Sequence, residues 1–73
     1  MNKKQMRKLA DEIVDLELTY RNPQAPQEVK SRAEKRINQI AGMIAALDAK
    51  NGRNFELMGE IDLLVQEKMK KMS

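Results

Sequence analysis

Seventy-three residues hold at most one domain, and a folded chain of this size hides only about 60% of the surface its unfolded form exposes. With no His, Cys or Trp, one Tyr and one Phe, it lacks the usual residues of disulfides, structural zinc, thiol or imidazole catalysis and base-stacking platforms. Fourteen Lys and Arg against eleven Asp and Glu leave a net charge of +3, which admits an acidic partner without demanding one.

The chain opens Met1-Asn2-Lys3-Lys4-Gln5, like the charged start of a signal peptide. Arg7, Lys8, Asp11, Glu12 and Asp15 then interrupt the apolar stretch that should follow, so a cytoplasmic protein is expected. No apolar run approaches the ~18 residues of a membrane span. In this first segment Met6, Leu9, Ile13, Leu16 and Tyr20 recur at spacings of 3, 4, 3 and 4, with Ala10 and Val14 widening the stripe. That periodicity predicts a helix over about 2–21.

Arg21-Asn22-Pro23-Gln24-Ala25-Pro26 breaks the pattern, with Asn22 suited to a helix C-cap and Pro26 to the first turn of the next helix. A second helix is predicted over about 26–49 from Ala33, Ile37, Ile40, Ile44 and Leu47, spaced 4, 3, 4 and 3. Asn51-Gly52-Arg53-Asn54 forms the second break, where Gly52 fits the left-handed position past a helix end and Asn54 an N-cap. A third helix follows over about 54–72. Its stripe is Met58, Ile61, Val65 and Met72, interrupted by Lys68 and flanked by Leu57, Leu64 and Met69. Helices joined by short loops become antiparallel neighbours, so the fold class is all-α: one helical domain over 1–73, a three-helix antiparallel bundle.

Helix two holds the most informative stretch. From Ile37 to Leu47, eleven consecutive residues carry no charge, and Gly42, Ala46 and Ala41, Ala45, Ala49 form two small-residue rows. A chain this small, without disulfides or metal, relies on regular helix packing or on oligomerisation. Either helix two is the centre of the bundle, or it packs on a second chain as a homodimer. For the second case the interface is expected at Ile37, Ile40, Ala41, Met43, Ile44 and Leu47.

Charged residues form three further candidates. An up-down-up order brings the start of helix two near the end of helix three, so Arg32, Lys35 and Arg36 would share one end with Lys68 and Lys71 as an anion-binding patch. The alternative is that these side chains solvate faces and complement a helix C-terminus. The acidic pairs Asp11 and Asp15, and Glu56 and Glu60, each lie one helical turn apart, but supply too few ligands for a metal site. No metal or cofactor is expected.

From Ile37 onward, the helix, the Asn51-Gly52 turn and the second helix reading Glu60-Ile61-Asp62-Leu63-Leu64-Val65 resemble the small helical-hairpin aspartyl-phosphate phosphatases of the sporulation phosphorelay. Glu60, Ile61 and Asp62 match the last three positions of that family's Ser-Gln-Glu-Leu-Asp motif, with Ile for Leu, while Met58 and Gly59 replace its polar pair. The resemblance implies a regulator acting on a response regulator. The residues themselves favour a small non-catalytic interaction module, self-associating through helix two, that binds and regulates another protein. A basic helical dimer binding nucleic acid is the alternative.

Overall fold

Three helices make up the computed structural model, which describes residues 2–52 and 56–72: α1 (Lys3–Arg21), α2 (Gln27–Lys50) and α3 (Glu56–Met72). No strand occurs among the described residues, and no helix among them is long and apolar enough to cross a membrane. The expected bounds 2–21 and 26–49 lie within one residue of those of α1 and α2. Asn54, the expected cap of α3, falls outside the described residues.

Local chemistry accounts for most of the helix ends. Lys3 and Lys4 stand at the positive end of α1, where cations are unfavourable. A capping box offsets this: Asn2 Oδ1 accepts from Gln5 N–H at 2.9 Å, and Gln5 Oε1 accepts from Asn2 N–H at 3.2 Å. At the other end Asn22 is the C-cap, as the sequence predicts, and its N–H donates to Thr19 O. Its side-chain oxygen accepts from Gln24 N–H at 3.0 Å, which turns the chain toward Pro26, the N-cap of α2. α2 ends where Asn51 N–H donates to Leu47 O and Gly52 takes φ 67°, a left-handed conformation that costs glycine nothing.

The core is built from the innermost row of each helix: Ala10 and Val14 of α1, Ala33, Ile40 and Ile44 of α2, and Leu57, Ile61 and Val65 of α3. In α1 this row is not the one the spacing places foremost. Leu9, Ile13 and Leu16 are partly buried and Tyr20 is exposed, because α1 touches both other helices and its buried arc is centred between them. Alanines at 10 and 33 let the backbones approach, while Ile40, Ile44, Ile61 and Val14 fill the space between. Each such aliphatic side chain contributes roughly 1.5–3 kcal/mol on burial.

Two exposed charge pairs bridge α1 to its neighbours. On the α1–α2 side the Arg36 guanidinium meets Glu12 through two bonds, Nε to Oε2 at 2.9 Å and Nη2 to Oε1 at 3.2 Å. On the α1–α3 side Lys68 Nζ donates to Asp11 Oδ1 at 2.8 Å. The helices run up, down and up, with α1 parallel to α3: Lys3 and Arg7 line one hollow with Glu60 and Glu67, and Arg7 and Asp11 line the next with Lys68 and Lys71. The molecule measures 41 × 26 × 17 Å, so the bundle is flattened in cross-section.

The Glu12–Arg36 pair makes stability depend on acid pH. Hydrogen bonding to Arg36 holds the Glu12 carboxyl below its usual range. A depressed carboxylate stabilises the fold above its unfolded pKa, and that contribution is lost as pH falls through the folded one. Native protein should therefore melt higher than Glu12→Gln near pH 7, and the difference should shrink as pH falls below the ordinary glutamate range. Thermal melts of both proteins across that range check this. A gap that persists in acid would mean that the charge of Glu12 is irrelevant.

Candidate interaction groove

The third seam, between α2 and α3, is built differently from the two that α1 makes. Among the described residues no salt bridge crosses it. At the turn end it is fastened by Asp48, a buried carboxylate of α2. Asp48 Oδ1 accepts from Leu57 N–H at 3.0 Å, and Oδ2 from Met58 N–H at 3.2 Å. These donors belong to the first turn of α3, which has no intrahelical partner for them, so a side chain of α2 caps α3. Sequence reasoning missed this residue. The signal was present: Asp48 follows Ile40 and Ile44 at four-residue steps, which puts a charge on the buried row.

Away from that fastening, the seam opens into a groove of about 150 Å³. Ile13 and Glu17 of α1 form its base, Ile37, Ala41 and Ile44 one wall, and Met58, Ile61, Asp62 and Val65 the other. It shares Glu17 and Ile37 with a wider hollow of about 360 Å³ that Tyr20, Arg21 and Glu34 also line, and to which α3 contributes no residue. The apolar lining follows from the uncharged stretch of α2, whose Ile37 and Ala41 are partly buried. Around the rim stand carboxylates. Asp62 accepts from Gln66 Nε2 at 3.1 Å, Glu17 lies 3.8 Å from Arg21, and Glu34 is exposed.

The structure redistributes the residues expected at an interface. Ile40 and Ile44 are 1% and 2% exposed inside the chain's own core, so they cannot be the centre of a contact with another chain. Leu47 is partly buried against that core, whereas Met43 stands 45% exposed. The outer row of α2 is Gln39, Gly42, Met43, Ala46 and Ala49, all exposed. A Cβ placed on Gly42 would meet nothing within 4 Å.

The expected cationic end is likewise divided. The start of α2 and the end of α3 do flank one level of the bundle, but α1 lies between them and presents Asp11 and Glu12. Arg36 and Lys68 are bound to those two acids, leaving Arg32 and Lys35 exposed on α2 and Lys71 exposed on α3. No group of three or more acidic residues among those described is placed to hold a metal ion. The Glu60-Ile61-Asp62 run is split by the helix: Ile61 is buried, Asp62 lines the α2–α3 groove, and Glu60 faces Lys3 and Arg7 across the α1–α3 seam.

The chain matches no family model, no curated protein and no solved structure.

Proposed function

We propose that this chain is a small non-catalytic module that acts by binding helices of other chains, self-association through the outer row of α2 included. One observation carries the reading: α2 keeps an uncharged surface on the side its own bundle does not cover. A helix facing water ordinarily carries charge on that side. Here Gln39, Gly42, Met43 and Ala46 present a low, neutral strip that a second helix can approach closely.

Sedimentation equilibrium tests the self-association. The native protein is expected at twice the 8.4 kDa chain mass, and Met43→Glu and Ala46→Glu at the chain mass with unchanged helix content. Each substitution should weaken dimerisation by at least about tenfold, the effect of losing one well-packed contact residue. A native protein that stays monomeric at every concentration would remove self-association from the proposal.

A further inference from the structure

We infer that Asn51–Gly52, the turn that closes α2 ahead of α3, is a site of spontaneous deamidation, and that its product loosens the hold of α2 on α3. The chemistry needs no catalyst. The Gly52 nitrogen, its proton taken by solvent hydroxide, attacks Cγ of Asn51 and closes a five-membered imide. The N–Cγ bond forms, the Cγ–Nδ2 bond breaks, and ammonia leaves with a proton returned by water. Water then opens the ring at either carbonyl, giving aspartate or isoaspartate at position 51. Nothing is oxidised or reduced.

Local structure singles out this turn. The attacking nitrogen belongs to a glycine, so no side chain shields it and the backbone rotates freely around it. Both residues are exposed, and a Cβ placed on Gly52 would meet nothing within 4 Å, so water reaches the reacting atoms. The bonds that restrain the turn are end-of-helix bonds: Asn51 Nδ2 donates to Leu47 O at 3.0 Å, and Gly52 N–H to Ala49 O at 3.2 Å. Asn51 has ψ 7°, so ring closure requires rotation about that bond to bring the nitrogen to Cγ, and both contacts part first. Exposed helix ends open at the low end of the free-energy range of local unfolding, which keeps that step easy. The other described asparagines are held back. Asn22 precedes Pro23, whose nitrogen carries no proton to lose. Asn38 lies inside α2, where the next N–H is committed to the helix ladder. Asn2 is locked in the capping box of α1, and the nitrogen after it belongs to Lys3, with its long side chain.

The product acts on α3 through Asp48, one turn earlier on α2, whose carboxylate caps Leu57 and Met58. A carboxylate at position 51 cannot donate to Leu47 O, and it puts negative charge at the negative end of α2. Isoaspartate also adds a methylene to the main chain within the reversal that sets Asp48 against the start of α3.

The test is incubation of the native chain in mildly alkaline buffer, followed by peptide mapping that separates aspartate from isoaspartate at each asparagine. Asn51 should convert at least about tenfold faster than Asn2, Asn22 or Asn38, with isoaspartate among its products. Gly52→Ala should slow the conversion, although alanine at φ 67° strains the turn and loosens it. Asn51→Asp, which carries the charge of the product, should melt lower than the native chain and exchange its Leu57 and Met58 amides faster. A chain that converts only when unfolded in urea overturns the inference, because the bonds of the turn then protect Asn51. Aspartate formed without isoaspartate overturns it too, since water would then be attacking the side chain directly. Faster conversion in Gly52→Ala would mean that looseness, and not the glycine nitrogen, sets the rate, and the inference falls. Unchanged melting and amide exchange in Asn51→Asp and in the converted native chain overturn the effect on α3.

Discussion

Replacing Asp48 with Ala is expected to lower the unfolding free energy by about 2–3 kcal/mol, the largest loss from any polar position. The carboxylate is 2% exposed and accepts from two backbone N–H groups that begin α3. Alanine would leave both donors without a partner where water has little access, and would leave a small void beneath them. The loss matters because a core of this size rarely supplies more than about 3–5 kcal/mol in total. Asp48→Asn should fall between, since the amide keeps one acceptor oxygen but turns a second donor toward Met58 N–H. Urea unfolding followed by circular dichroism measures all three proteins, and hydrogen exchange at the start of α3 localises the effect. If Asp48→Ala cost less than about 0.5 kcal/mol, the turn itself would be positioning α3 and the cap would be incidental.

Ile44 and Met43 are neighbours in sequence with opposite expected fates. Ile44→Ala should cost about 2–5 kcal/mol, because the residue is 2% exposed and its removal opens a cavity where all three helices meet. Ile44→Glu should leave the chain unfolded, since a carboxylate there has no partner. Met43→Glu should change monomer stability by no more than about 0.5 kcal/mol, the side chain being 45% exposed. Thermal melts at low protein concentration separate these effects from any dimer. The reverse pattern, a stable Ile44→Glu and an unfolded Met43→Glu, would mean that α2 presents a different face to its own bundle. Ile44 therefore reports on folding, and Met43 and Ala46 on association.

The uncharged run from Ile37 to Leu47 shows how far periodicity reaches. Spacing placed these residues on a helix, and Ile40 and Ile44 on its apolar stripe, but could not tell a stripe buried by the chain itself from one buried by a partner. That distinction depends on how many neighbours α2 has and where they lie. The same holds for the cationic end: topology correctly brings the start of α2 and the end of α3 to one level, yet the acids that neutralise Arg36 and Lys68 come from α1, 24 and 57 residues away.

The sequence by itself determined three helices, their lengths and most of their ends, because these follow from forces acting within a few residues: apolar repeats of 3 and 4, Asn22 as a cap, Gly52 past a helix end. It also determined that these 73 residues offer no Cys or His for a disulfide, a Cys/His zinc site or an imidazole catalyst. Only the tertiary structure decided that Ala10 and Val14, rather than Leu9 and Ile13, are innermost in α1, since that depends on the directions of two neighbouring helices. It alone showed Asp48 reaching the first turn of α3, a contact made across a chain reversal that no local pattern encodes. The groove between α2 and α3 is of the same kind: its nine lining residues come from three helices, and none adjoins another in sequence except Ile61 and Asp62.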